Sequence, residues 1–595
     1  MREMAKSAVW GIQANNIAAV AKHFCAQGEG SGGINASAAR IGERELREIH
    51  LPGTKACIGA GVKGVMAAYN EIDGVPCHSN HRLLTDILRE EMNFKGVIMA
   101  DGLAVDRLDM MTGDNILSAA LALKAGVDIS LWDEGFTKLE KALESGYISM
   151  EDLDKAVLRV LKLKFELGLF EHPYIDEADY SASYTYEKNP EALQLARESI
   201  CLLKNKDNIL PLNVQKIRSL AIVGPNADEI YNQLGDYTPP IRKSEGSTVL
   251  KGIKNYIEKH GEAIEVKYSK GCGLIDKSED YIKEAVNIAK TCNYTVLVLG
   301  GSSSRFMGTE FDANGAARQK NNIEMDCGEG IDVADIGLPG LQNRLVQELR
   351  DTGCKIITVL IQGRPYAISE ADQCSDALLA AFYPGMSGGI AIAEILFGKT
   401  NPSGHLPVSI PRHAGQLPVY YNYKSSYEAM NYYDLPGTPL YPFGYGLSYT
   451  RFDYSNIQCE LIPDIDKQNV NYFFQHTQNT KSREGISVSR KYLPEVDIQV
   501  TLTVSNQGEA DGYILLLLYV RRLNGKVTQR VRELKAFKKV WLNKGERKDI
   551  NLKLNEESLS YWNDKMEFVS EEGKIELILT DGGESIWNGY VSLLP

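Results

Sequence analysis

Residues Val97-Ile98-Met99-Ala100 form a short, uninterrupted apolar run that closes abruptly on Asp101-Gly102. A run apolar at every position reads as a strand covered on both faces, the pattern of a parallel sheet rather than an alternating antiparallel one. A carboxylate at the carboxyl end of such a strand stands where α/β barrels and open α/β sheets carry their chemistry. The same Asp is also a good helix N-cap, so this segment alone leaves two readings open. Its neighbours repeat the pattern. Ala18–Phe24, Gly64–Tyr69 and Gly126–Ile129 read as further strands, separated by helical stretches such as Arg40–His50 and Leu83–Met92. Strands alternating with helices predict βα units feeding a parallel sheet. Ser149-Met150-Glu151-Asp152 predicts a capping box that opens a long helix to Leu167, with Gly168 as its stop.

A second α/β block is expected over residues 190–412. Its strands Ser219–Val223, Tyr294–Leu299 and Lys355–Ile361 each run into a glycine-containing turn. Residues 413–492 read as a Tyr-, Pro- and Gly-rich linker followed by a polar insertion, 466–492, without a clear period. From Val496 the apolar residues alternate. Strands over Ile514–Arg521, Arg530–Val540, Arg547–Leu554 and Lys574–Leu579 then predict an antiparallel β-sandwich at 493–595.

Two nucleotide-like matches fail on context. Gly59-Ala60-Gly61-Val62-Lys63-Gly64 precedes a strand, whereas the dinucleotide fingerprint must follow one and open a helix. Gly398-Lys399-Thr400 follows a helix, and Ala393 stands where a P-loop needs its first Gly. A net charge of −13 argues against nucleic-acid partners and acidic lipid surfaces. No apolar stretch is long enough to span a bilayer. The ten cysteines are scattered without a Cys-x-x-Cys pair, which favours free buried thiols in a reducing compartment. With no apolar leader near Met1, a cytoplasmic location is expected. His78-Ser79-Asn80-His81 looks like half a metal site without partner ligands and is read as loop chemistry. Homo-oligomerisation is left open.

Three successive strand ends carry polar groups: Lys22-His23, Tyr69-Asn70 beyond Met66, and Asp101. On a parallel sheet these converge on one pocket. A Lys and a His beside a carboxylate hold it ionised. A second carboxylate, Glu329, sits between Gly328 and Gly330 after the polar loop that follows Ser302–Arg305. Flanking glycines let the backbone approach a ligand closely, although a solvent-facing loop glutamate has the same surroundings. A carboxylate pair divided between two domains suits glycoside hydrolysis.

At this point the chain resembles glycoside hydrolase family 3 over nearly its whole length. The resemblance rests on Lys22-His23-Phe24 with Gly32-Gly33-Ile34-Asn35, Arg44–Glu48 with Leu51-Pro52, Met66–Asn70 with Asp73-Gly74-Val75-Pro76, and Asp101. It continues through Gly328-Glu329-Gly330, Leu338-Pro339-Gly340, Tyr383-Pro384-Gly385 and Asn401-Pro402-Ser403-Gly404. Leu417–Tyr421 and Pro442–Tyr449 complete it.

The resemblance implies a (β/α)8 TIM-type barrel of which residues 1–175 are the C-terminal part, an α/β sandwich domain and a fibronectin-III-like domain. It also implies a retaining, exo-acting β-glycosidase, without metal or organic cofactor, that takes small oligosaccharides or β-glycosides, glucosides ahead of xylosides. Asp101 would be the nucleophile and Glu329 the general acid/base, with Lys22, His23, Met66 and Tyr69 lining the sugar subsite.

Three departures stand out. Gly102 replaces the Trp that often follows the nucleophile, and Val333 replaces an Arg common after the glutamate motif. A complete barrel takes about 250 residues, whereas the second block here opens near residue 190. The early βα units are therefore expected to be absent, leaving exposed strand edges and dependence on a partner. The alternative function is an inactive, truncated relative that serves as a sugar-binding or interaction module.

Overall fold

The four apolar runs of the N-terminal region become parallel strands β1 (Val20–Phe24), β2 (Gly64–Ala67), β3 (Val97–Gly102) and β4 (Ile129–Leu131). They pair in the order β1-β2-β3-β4. The computed structural model describes residues 2–174, 189–242, 245–304, 310–311, 317–318, 324–425, 431–463 and 481–595. These form two compact units, one built mainly on the first 183 residues and the other on the rest of the chain.

In the first unit Phe24, Val65, Ala67, Ile98 and Ala100 are fully buried, as continuous apolar strands require. Met66 and Met99 are register partners on β2 and β3. The helix expected to stop at His50 instead continues through Leu51–Gly59. Pro52 is tolerated because it falls in the first turn of that segment, where its missing N–H is not needed. Gly59–Gly64 then runs from this helix into β2, the reverse of a dinucleotide motif.

The capping box at Ser149 and Asp152 forms as expected and opens the helix Met150–Glu166. That helix buries Ala156 but exposes Val157, Leu158, Leu161 and Phe165. Arg159 ties it to the sheet, where Asp128 also pairs with Arg89 at 2.6 Å and accepts the Ile98 N–H at 2.9 Å. This buried network sits at the amino ends of β3 and β4, remote from Asp101.

The second unit contains a six-stranded sheet of β5 (Cys201–Asn205), β6 (Ser219–Val223), β7 (Glu265–Ser269), β8 (Tyr294–Gly300), β9 (Lys355–Ile361) and β10 (Ala377–Phe382). The order is β5-β10-β9-β8-β6-β7, parallel except for β5. Gly398-Lys399-Thr400 belongs to its scaffold. Lys399 meets the buried Glu394 carboxylate at 2.6 Å, which Arg197 also grips with two hydrogen bonds.

The β-sandwich begins upstream of the expected boundary at 493. Strand β11 (Phe452–Pro463) pairs along its length with β14 (Val496–Asn506). The expected insertion supplies β12 (Lys481–Ser482) and β13 (Gly485–Ser489); its residues 466–480 lie outside the described ones. The remaining strands are β15 (Gly512–Arg522), β16 (Glu533–Leu542), β17 (Arg547–Leu554), β18 (Gly573–Thr580) and β19 (Ser585–Leu594). One sheet runs β12-β11-β14-β17 and the other β13-β19-β18-β15-β16. Pairing is antiparallel except between β13 and β19. The linker is held to both neighbouring domains, by Leu447 N–H to Leu202 O at 2.8 Å and by Arg530 to Asn422 O at 2.9 Å.

Candidate active site

The strand ends of the first unit gather around Asp101. Its Oδ2 lies 3.1 Å from His23 Nε2, and its Oδ1 accepts the Gly102 N–H at 2.8 Å. Burial pushes this carboxyl up. The His23 hydrogen bond, the Gly102 N–H and the charges of His23 and Lys22 outweigh that effect and hold it below the ordinary carboxylate range. The carboxylate is thus ionised at neutral pH and fixed at both oxygens.

Tyr69, just beyond β2, donates its hydroxyl to Gly102 O at 2.8 Å. The Arg107 guanidinium lies over its ring at 4.2 Å. Met66 is buried on the strand beside Asp101's own. Lys22, His23 and Tyr69 therefore converge on the Asp101-Gly102 dipeptide, while Met66 forms part of the packed sheet beside it.

His78, read from the sequence as loop chemistry, is a structural partner of Asp101. A short hairpin, Glu71–Ile72 against Val75–Pro76, folds the chain back so that His78 returns to the strand ends. Its buried Nε2 accepts the Asp101 N–H at 3.2 Å, while the ring also hydrogen-bonds the Ala68 backbone. Burial drops its pKa to about 4, so the ring is neutral at pH 7 and can accept. The signal available in the sequence was the turn Asp73-Gly74 between Ile72 and Val75, which doubles the chain back toward β2.

Two aspartates brace the loops after β3 and β4. Asp133 Oδ1 accepts the N–H groups of Val105 and Asp106 at 2.8 and 3.0 Å, and the Asp106 carboxylate in turn accepts those of Glu134 and Gly135. Trp132 has a left-handed backbone (φ 64°) and a largely exposed side chain. A Cβ at position 102 would lie 3.1 Å from its ring. Gly102 therefore leaves room for the Trp132 ring, which approaches from just beyond β4. Among the described residues no group of three or more His, Cys, Asp or Glu side chains is arranged to hold a metal, and all ten cysteines are free thiols.

In the second unit, Glu329 sits on a loop built on a buried carboxylate. Asp326 accepts the Ser302 N–H at 2.8 Å and the Tyr366 hydroxyl at 2.5 Å. Arg364 binds the carbonyls of Asp326 and Ile331 at 2.9 and 3.2 Å, closing the loop across its mouth. At Gly328 φ is +108°, and a Cβ there would fall 3.1 Å from Asp236 Oδ2, so the position needs glycine. The Glu329 N–H donates to that same Asp236 oxygen at 3.1 Å, and its carboxylate receives the Tyr237 hydroxyl. Arg305, part of the polar stretch noted after β8, lies outside the described residues.

A parallel-strand carboxylate site, an α/β domain presenting a glycine-flanked glutamate and a fibronectin-III-like sandwich, in that order, are the parts of a glycoside hydrolase. The chain belongs to glycoside hydrolase family 3. The profile of the glycosyl hydrolase family 3 N-terminal domain matches residues 1–163, that of the family 3 C-terminal domain residues 200–449, and that of the fibronectin type III-like domain residues 515–582. A β-xylosidase of Formosa agariphila is 36% identical, over 94% of this chain and 73% of that protein. A periplasmic β-glucosidase of Salmonella typhimurium is 32% identical, over 96% and 73%. The crystal structure of a β-glucosidase from Listeria innocua in complex with isofagomine superposes with a TM-score of 0.85 at 29% identity. It covers 99% of this chain and 78% of that one.

Proposed function

We propose that this protein is a retaining, exo-acting β-glycosidase that removes the terminal non-reducing sugar of a small β-glycoside, with glucosides preferred to xylosides. The ionised, doubly anchored Asp101 carboxylate carries the reading. An Asp held low by His23 and Lys22 presents a charged oxygen to an anomeric carbon rather than a proton to give. In the first step Asp101 bonds to that carbon as the glycosidic C–O bond breaks, and Glu329 gives its proton to the departing oxygen. In the second step Glu329 takes a proton from water, which attacks the same carbon and frees Asp101.

His78 holds the peptide of Asp101 in register, and Tyr69 holds the following carbonyl. Lys22 and His23 can also donate to sugar hydroxyls, while Met66 supports the floor. The order of preference is supported by the β-glucosidases among the similar solved structures; the Formosa β-xylosidase keeps the xyloside as the next substrate to try.

Proton NMR of 4-nitrophenyl β-glucoside hydrolysis tests the reading. The β-anomer of glucose appears first, and Asp101→Asn abolishes turnover. First appearance of the α-anomer, or an Asp101→Asn variant as active as the parent, overturns it.

A further inference from the structure

The aim of the Glu329 side chain is set by its neighbours. Gly328 and Gly330 both have positive φ, +108° and +82°, so the glutamate projects from a backbone conformation that glycine adopts readily on either side of it. The turn that follows Ile230–Gln233 reaches both its backbone and its side chain. One carboxylate, Asp236, accepts the N–H of Tyr237 through Oδ1 at 2.8 Å and the N–H of Glu329 through Oδ2 at 3.1 Å. The next residue, Tyr237, donates its hydroxyl to Glu329 Oε2. Backbone and side chain of Glu329 are thereby held by one dipeptide.

The Tyr237 side chain is 63% exposed, and its φ of +57° is a left-handed conformation that is unfavourable for a bulky residue. Strain of that kind persists where surrounding contacts impose it. Here the Thr238 hydroxyl is 3.2 Å from the carbonyls of Leu234 and Gly235. Gly235 is so close to Tyr383 that a Cβ would fall 2.9 Å from the ring. The Tyr383 hydroxyl meets Cys327 Sγ at 3.1 Å, two residues before Glu329. The turn and the loop are therefore locked together at the glutamate and just before it.

We propose that Tyr237 is a positioning residue for the general acid/base: it engages Oε2 of Glu329 and orients Oε1 for proton delivery to the leaving oxygen. Asp236 fixes the peptide from which the side chain projects. The inference rests on the role of Glu329 proposed above.

Leaving-group dependence tests it on the full chain. Parent, Tyr237→Phe and Glu329→Gln are compared on 2,4-dinitrophenyl and phenyl β-glucosides. The first leaving group departs without a proton and the second requires one. In Tyr237→Phe the ratio of kcat/KM for the dinitrophenyl over the phenyl glucoside rises about 10–100-fold, part of what a general acid contributes; Glu329→Gln raises it further. A ratio that stays at the parent value in Tyr237→Phe, whether or not the absolute rates fall, overturns the positioning role while a raised ratio in Glu329→Gln leaves the acid in place. An unchanged ratio in Glu329→Gln removes the acid role and the positioning role together.

Discussion

Replacing His78 by Gln tests how the nucleophile's strand end is held. The ring is buried, accepts the Asp101 N–H and has its pKa lowered to about 4 by burial. In the unfolded chain it titrates near the ordinary value of about 6.5. Between those two values the unfolded state carries a proton that the folded state refuses, so folding stability falls as pH drops from 6.5 toward 4. The slope is about 1.4 kcal/mol per pH unit and the total loss about 3 kcal/mol. Protonation would also turn Nε2 from acceptor into donor, facing the Asp101 N–H with a second N–H. Glutamine keeps an acceptor but does not titrate, so its variant should lack this slope. Hydrogen exchange of the peptide spanning residues 95–105, measured by mass spectrometry from pH 7 to 4 and corrected for intrinsic rates, reads the opening free energy locally. Parent and variant curves should diverge by about 3 kcal/mol over that range, since other titrating groups are common to both. Curves that stay parallel refute the buried neutral histidine.

Asp133 has the opposite sign. Burial, with the Asp106 charge adding, raises its pKa to about 6 despite the N–H groups of Asp106 and Val105. Its contribution is present below its ordinary pKa and is lost as pH rises through about 6, so Asp133→Asn should gain in Tm relative to the parent between pH 4 and 7. Asp128→Ala strands the buried Arg89 guanidinium and should cost about 3–5 kcal/mol in urea unfolding of the first unit. Gly328→Ala puts a Cβ against Asp236 at a positive φ and should lower kcat for phenyl β-glucoside at least about tenfold, as expected when an acid is displaced.

Asp101 was legible because burial on both faces writes an uninterrupted apolar run, and Asp101-Gly102 ends it sharply. Lys22, His23 and Tyr69 were legible for the same reason, as polar groups at the ends of neighbouring runs. His78 was not, because it reaches the strand ends through a hairpin turn and lies on no strand of that sheet. The clamp of Asp236 and Tyr237 depends on a carboxylate bridging two loops distant in sequence, which no period records. Among the strands, Ala377-Leu378-Leu379-Ala380-Ala381-Phe382 was missed because alanine and leucine are good helix formers; its position between β5 and β9 makes it a strand. Glu265–Ser269 was missed because an edge strand exposed on one side needs no apolar run. Phe452–Pro463 was missed because its partner begins only at Val496, across the polar stretch that obscured the sandwich's first edge.

As proposed, Asp101 is the nucleophile that forms a covalent glycosyl-enzyme. Incubation with 2,4-dinitrophenyl 2-deoxy-2-fluoro-β-glucoside followed by peptide mass spectrometry tests it most directly. A single fluoroglucosyl adduct is expected on the peptide that contains Asp101, absent from the Asp101→Asn variant. An adduct on another carboxylate, or turnover with no adduct at any time point, would contradict it.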